Sequence, residues 1–279
     1  MELDSIHNED CEETMWKMGR KYIFADLILT SPPYDDMRNY AEGQEWNFAK
    51  FKRIAAHFPN ILAEGGRLVW IVNDRCKGYD ESGTAFKQAL WFKDICGLKL
   101  NDTMIFAKRG VPAPNPNSYY QNFEYMFVFS KGKPKTTNII KDVKNINLGV
   151  KYSRHSGYDK HGRREWKENK DIQSVQEYRN RSNIWEYDVG FQTTKIKDIA
   201  HNHPAIFPEK LAYDHIISWT NEGDLVYDPF CGSGTTLEQA RISNRRYIGS
   251  EIVPEFYELA LQRVARAEEN MLEFKGLPE

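Results

Sequence analysis

A doubly wound α/β fold interrupted by a small insertion is what the sequence predicts, and three observations carry that prediction. Strand and helix signals alternate toward both ends of the 279 residues and thin out in the middle, the pattern of an α/β domain with something set into it. Leu225-Val226-Tyr227-Asp228 is a buried-strand signal that runs straight into a Gly-rich turn opening a helix, an arrangement that open parallel sheets use to hold ligands. Between Lys131 and Arg181 stand 14 basic and 6 acidic residues, in a chain with 38 Lys plus Arg and 40 Asp plus Glu. The middle therefore differs from its flanks in charge as well as in pattern.

Phe24 to Thr30 is a β-rich apolar run, stopped by Ser31-Pro32-Pro33 because proline donates no ladder hydrogen bond. Asn47 to Leu62 carries Phe48, Phe51, Ile54, Ala55, Phe58 and Leu62 at helical spacing, and Gly65-Gly66 then breaks into a strand over Arg67 to Val72. Thr84 to Ile95 reads as a second helix. Leu98 to Ala107 and Glu124 to Ser130 read as strands around a loop that holds Pro112, Pro114 and Pro116. From Lys131 to about Ala200 periodicity is weak, which sets a separate small domain. Order returns with a helix at Glu209 to Thr220, the strand Leu225 to Asp228, a helix at Thr235 to Ser243 and a strand at Arg246 to Glu251. Pro254 suits a helix start and opens Glu255 to Ala267, where Phe256, Leu259, Ala260 and Val264 share one face. The expected divisions are 1–131, 132–200 and 201–279.

Composition excludes several classes. Hydrophobic residues at 41% and aromatics at 13% are enough for a packed core, and no apolar run approaches the roughly 20 residues of a bilayer span. The opening Met1-Glu2-Leu3-Asp4 lacks the basic, apolar, small-residue order of a secretory signal, so a cytoplasmic location is expected. Cys11, Cys76, Cys96 and Cys231 are widely spaced and form neither a disulfide framework nor a zinc module. His201 and His203 have no third ligand nearby, and no metal is expected. The basic middle stretch suits a polyanion, because lysine and arginine near phosphates release condensed counterions. Tyr152, Tyr158, Trp166 and Tyr178, interleaved with the charges, offer rings on which bases stack.

Two constellations carry chemistry. In Asp228-Pro229-Phe230-Cys231-Gly232-Ser233-Gly234-Thr235-Thr236, glycines let a ligand approach the backbone and the helix start offers free N–H groups. The third glycine of a dinucleotide fingerprint is missing, and so is the lysine of a phosphate-binding loop, so a nucleotide-like cofactor without phosphates fits better than NAD or ATP. Glu251, about twenty residues on at the end of the next strand, stands where such sheets present a carboxylate to ribose hydroxyls. The second constellation, Thr30-Ser31-Pro32-Pro33-Tyr34, lies at the carboxyl end of an apolar strand. Paired prolines stiffen the chain and fix a neighbouring carbonyl, while Tyr34 offers a flat ring, a combination suited to holding a planar amine.

These residues resemble a known family. Ser31-Pro32-Pro33-Tyr34 resembles the catalytic tetrapeptide of amino-group DNA methyltransferases, and the segment from Asp228 to Thr236 resembles their S-adenosyl-L-methionine motif. His203-Pro204-Ala205-Ile206-Phe207-Pro208-Glu209-Lys210-Leu211 is similar to the family segment that closes over the methionine end of the cofactor. Asn183-Ile184-Trp185 and Phe123 to Ser130 match further landmarks, and the likeness covers most of the chain except roughly 132–180. The resemblance implies a seven-stranded Rossmann-like methyltransferase sheet, mostly parallel with one antiparallel strand and with helices on both faces. The tetrapeptide precedes the cofactor motif, as in the circularly permuted beta type, and the insertion becomes the target-recognition part.

It also implies roles. Ser31, Pro32, Pro33 and Tyr34 are the catalytic candidates. Asp10, His203, Pro204, Ala205, Phe207, the stretch Asp228, Pro229, Phe230, Cys231, Gly232, Ser233, Gly234, Thr235 and Thr236, and Glu251 are the cofactor-binding candidates. Lys108, Arg109, Arg154, Arg163, Arg164, Arg179 and Arg181 are candidates for DNA contact. Cys231 is read as a small turn residue, not a nucleophile. Serine at the first motif position points to N4 of cytosine, with N6 of adenine as the alternative. The partner implied is double-stranded DNA and not a membrane; a homodimer and a cognate restriction endonuclease are left open. Two rivals explain less. An NAD-dependent oxidoreductase leaves the Pro-Pro-Tyr segment without a purpose, and a non-catalytic DNA-binding subunit has no need of both intact constellations.

Overall fold

The computed structural model describes residues 1–33, 46–77, 79–110, 119, 121–151, 154–168, 174–189 and 208–267. It divides the chain into a large unit, Met1–Asn138 with Asn183–Glu279, and a small unit, Ile139–Ser182. The small unit is narrower than the 132–200 expected, because residues 132–138 and 183–189 belong to the large one.

The large unit is built on one large sheet, beside a small ladder of Cys76–Lys77 with Asp80–Glu81. Its strands are β1 (Ser5–His7), β2 (Ala25–Thr30), β3 (Leu62–Val72), β4 (Lys99–Arg109), β5 (Phe123–Ser130), β6 (Ile184–Asp188), β7 (Leu225–Asp228) and β8 (Arg246–Ser250). They lie in the order β1-β8-β7-β2-β3-β5-β4-β6. β5 runs antiparallel to both neighbours, and every other pairing is parallel. Eight strands replace the seven expected. At one end of the order β6 pairs with β4 from Ile184 opposite Ile105 to Asp188 opposite Arg109. Its alternation marks an edge strand: Trp185 and Tyr187 are buried, with Ile184, Glu186 and Asp188 exposed. β7, by contrast, is buried at every position, as a central parallel strand covered on both faces must be.

The helices are α1 (Cys11–Arg20), α2 (Phe48–Ala55), α3 (Thr84–Leu90), α4 (Glu209–Trp219), α5 (Thr235–Ile242) and α6 (Pro254–Ala265). α3 continues as a wide π-helical turn, Trp91–Ile95. The single helix expected over 47–62 is instead α2 followed by one turn, Phe58–Ile61. Pro59 explains the break, since its ring collides with the carbonyl four residues earlier and it has no N–H to donate. β3 then starts at Leu62, earlier than expected. Gly65-Gly66 lies inside it as an irregularity: Gly65 has φ +73°, and a Cβ there would meet the Lys133 carbonyl oxygen at 2.8 Å. Behind β2 and β3 sits an aromatic core in which the Phe92 ring lies 5.1 Å from Trp70, 5.2 Å from Phe51 and 5.7 Å from Phe58. Each such buried ring contributes about 1.5–3 kcal/mol of transfer free energy. Among the described residues no helix is long and apolar enough to cross a membrane.

Among its described residues the small unit carries two antiparallel ladders. Lys141–Lys144 pairs with Tyr178–Asn180, and Arg154–Tyr158 pairs with Arg164–Glu168.

Candidate functional site

β2 and β7 lie side by side in mid-sheet, with Val226 opposite Leu27 and Tyr227 opposite Ile28. They run the same way, so their carboxyl ends reach one rim. The chain then departs in opposite directions, β2 toward β3 and β7 toward β8, which makes this pair the topological switch point where open α/β sheets keep ligands. Ser31, Pro32 and Pro33 leave the end of β2, and residues 228–236 leave the end of β7. A hydrogen bond joins the two: the Thr30 hydroxyl donates to Asp228 Oδ1 at 2.6 Å, across 198 residues of sequence. Asp228 also accepts the Phe230 N–H at 3.0 Å. Burial pushes its carboxyl up to about 6, against the pull of the Thr30 hydroxyl and the Phe230 N–H.

The turn after Asp228 needs two left-handed residues, supplied by Gly232 at φ +50° and Gly234 at φ +84°. The Gly234 N–H donates to the Cys231 carbonyl at 2.7 Å, and the Cys231 N–H to the Ser250 carbonyl at 3.0 Å. A Cβ on Gly234 would stand 2.9 Å from the Cα of Ala260, so the turn also presses on α6. Glu251 comes off the neighbouring β8. Its Oε2 accepts the Gly232 N–H at 2.9 Å and its Oε1 the Val253 N–H at 2.8 Å. Each oxygen keeps a second lone pair for a ligand hydroxyl. Burial raises the Glu251 pKa, while those two N–H groups restrain it. Burial also lifts the Cys231 thiol well above its ordinary range, with Asp228 and Glu251 adding to the effect, which leaves it a poor nucleophile.

Several supporting residues gave little signal in the sequence. Thr30 reads as the end of a strand, yet it ties the two motifs together. Trp46 packs edge-on against Phe230 with ring centroids 5.4 Å apart, so the chain meets the Gly-rich turn on both sides of the stretch 34–45. The Asn8 side chain donates to the Glu251 carbonyl at 2.9 Å. Arg263, with no exposed surface, donates from Nε to Glu238 at 2.7 Å and from a terminal nitrogen to Glu209 at 2.6 Å. It thereby ties α6 to the helix that follows the Gly-rich turn and to the first residue of α4. Past the end of β3, buried Asp74 accepts the Ser82 hydroxyl and the Ala85 N–H through Oδ1, while its Oδ2 has no hydrogen-bond partner among the described residues.

The remaining sequence candidates divide in three ways. Asp10 caps α1, accepting the Glu12 N–H at 2.9 Å, with Lys50 Nζ 3.7 Å away. Tyr34, His203, Pro204, Ala205 and Phe207 lie outside the described residues, as do Tyr152 and His201. Of the basic residues, Lys108 is 2.6 Å from Glu124, and Arg109 is 3.1 Å from Glu186 on the edge strand. Arg181 is held by Asp142, its Nε 3.0 Å from Oδ2. Arg163, Arg164 and Arg179 are exposed, and the Arg164 guanidinium lies over the Trp166 ring at 5.4 Å. Arg154 opens the strand opposite Glu168. Among the described residues no group of three His, Cys, Asp or Glu is placed to hold a metal.

A family model described as DNA methylase matches residues 25–262. Orphan methyltransferase M.BamHII of Bacillus amyloliquefaciens is 47% identical over 239 residues, covering 86% of this chain and 88% of that protein. Among solved structures, PvuII DNA methyltransferase, described as cytosine-N4-specific, has a TM-score of 0.66 at 17% identity, over 96% of this chain and 92% of that one. A complex of M1.HpyAVI with SAM has a TM-score of 0.62 at 21% identity, over 93% and 98%. The two structures share the fold, and the family match with the 47% relative goes further: this chain belongs to the N6/N4 family of DNA methylases.

Proposed function

We propose that this site-specific DNA methyltransferase moves a methyl group to N4 of a cytosine turned out of the duplex. The methyl donor is S-adenosyl-L-methionine, which supplies an electrophilic methyl on a sulfonium. The donor set suits it. Two buried carboxylates, Asp228 and Glu251, face the rim, and residues 228–236 contain neither lysine nor arginine. That is a poor cradle for a pyrophosphate and a good one for a cation with ribose hydroxyls. Asp228, the turn from Pro229 to Thr236 and Glu251 take the cofactor, joined by Asp10 and by His203, Pro204, Ala205 and Phe207.

An exocyclic amine is a weak nucleophile because its lone pair is delocalised into the ring. Hydrogen bonds from that amine to the Ser31 hydroxyl and the Pro32 carbonyl steer the nitrogen toward tetrahedral geometry and aim the lone pair at the methyl. Tyr34 stacks on the base, which must leave the duplex to be reached. Positioning and electrostatics supply the rate, with no covalent enzyme intermediate. The small unit reads the target, with Arg163, Arg164 and Arg179 on phosphates or guanine edges, and the protein works in the cytoplasm.

The observation that carries this reading is the Thr30 to Asp228 hydrogen bond, which fixes the start of the tetrapeptide beside the start of the cofactor turn. The test is single-molecule sequencing of DNA from cells expressing the chain, with nucleoside analysis after transfer from a tritiated donor. N4-methylcytosine in one sequence context is expected. N6-methyladenine would overturn the choice of base.

A further inference from the structure

In the small unit the chain turns between its first ladder and the pairing of Lys151 with Ser174, and this turn carries apolar side chains that stand exposed among the described residues. Ile146 is 99% exposed, Leu148 59% and Val150 43%. Single exposed apolar residues are ordinary, but three within five positions at a tip call for a ligand. The tip is built, not loose. The Asn145 N–H donates to the Glu177 carbonyl at 2.8 Å, the Gly149 N–H to the Val175 carbonyl at 3.0 Å, and the Val175 N–H to the Val150 carbonyl at 2.9 Å. Gly149, at φ +77°, supplies the left-handed bend. Lys144 and Lys151 flank the tip, Arg179 sits opposite Val143 on the partner strand, and all three are exposed. Over residues 139–182 there are eleven basic and six acidic side chains.

We infer that Ile146 and Leu148 form an apolar wedge that enters the base stack of duplex DNA. The flanking Lys144, Lys151 and Arg179 lie against its phosphates. Aliphatic wedges of this kind part base steps and offset the unstacking that bending or base eversion requires. The charge selects this occupant over a second copy of the chain. A two-fold contact through the tip would bring two basic tips together, and three apolar side chains are few beside the ~20–30 residues a side of a stable interface. The inference rests on the reading that the chain methylates an everted base, and it adds the element that fills or opens the stack.

The test uses the full chain and a variant with Ile146→Ser and Leu148→Ser. These residues are exposed, so melting temperature and S-adenosyl-L-methionine affinity are expected to match the parent. The probes are a duplex bearing the methylation site mapped by sequencing, the same duplex with 2-aminopurine beside the target, and the same duplex with an abasic target. The variant is expected to bind the intact duplex about tenfold more weakly and to lose most of the 2-aminopurine fluorescence rise. On the abasic duplex, where the unstacking is already done, it is expected to bind within about twofold of the parent. Equal binding by both proteins to every duplex overturns the inference, and so does an equal loss on intact and abasic duplexes, which marks a plain contact. A changed sedimentation coefficient with unchanged DNA affinity assigns the tip to a second copy instead. If the parent binds and methylates no DNA, the underlying reading fails as well.

Discussion

The rim of the large unit and the surface of the small unit treat their polar groups in opposite ways. At the rim, Asp228 and Glu251 each accept two hydrogen bonds, and Arg263 beneath them spans two carboxylates. In the small unit, Arg163, Arg164 and Arg179 stand in solvent, and Trp166 and Tyr158 are 66% and 71% exposed. The difference follows from what each region must meet. A cofactor of fixed shape rewards groups held in advance, because preorganised dipoles need no rearrangement during reaction. A polyanion is met first through long-range charge, which works best from exposed side chains. Lys108, Arg109 and Arg181 fall between the two: they are basic, yet each is already paired with an acid.

The contrast breaks most visibly at Ser31. Ser31→Ala is expected to lower methyl transfer about 10²–10³-fold, the usual cost of one lost preorganised hydrogen-bonding group, and to leave cofactor affinity by calorimetry unchanged within about threefold. Glu251→Ala should do the reverse, weakening cofactor binding by about 10- to 100-fold, as expected for hydrogen bonds to a charged group. An exchange of these two patterns would mean that the roles are swapped. Next comes pH. As pH falls through about 6, Asp228 takes up a proton and affinity for the cationic cofactor is expected to drop, by about tenfold per unit at most. Asp228→Asn should flatten that profile. Fold stability moves the other way: the raised pKa favours the protonated folded state, so this contribution is present below the unfolded value of 3.8 and is lost as pH rises through about 6. The smallest effect belongs to the exposed surface. Arg164→Ala should leave the melting temperature in place and reduce the salt slope of DNA binding by about one, whereas Arg181→Ala should lower stability by about 0.2–1 kcal/mol with its Asp142 pair gone.

What could be read from the sequence was local. The turn at Gly232 and Gly234 announces itself because left-handed backbone demands glycine, and the end of β2 because Pro32-Pro33 cannot continue a ladder. Glu251 was legible from its spacing alone. The pairing of Thr30 with Asp228 was not, since nothing in either segment specifies a partner 198 residues away. β1 escaped notice because three residues carry no period. β6 did so because its two buried positions, Trp185 and Tyr187, look like isolated aromatics until Trp185 is found 4.6 Å from His215 and Tyr187 bonded to Asp214 on α4. The ladders of the small unit hide for a related reason: with little core beneath them, their strands show no alternation to detect.

Arg263 has a consequence for how the protein comes into being. Its guanidinium pairs with the fully buried Glu238 and the partly buried Glu209, and a buried carboxylate that loses a paired cation is destabilising by several kcal/mol. A nascent polypeptide that has emerged only as far as Val253 already contains the tetrapeptide, the Gly-rich turn and Glu251. It still lacks α6 and the guanidinium that pairs with Glu238 and Glu209. Donor capture is therefore expected to wait until Arg263 has joined the fold, and a fragment ending at Val253 that holds every signature residue is expected to stay inert.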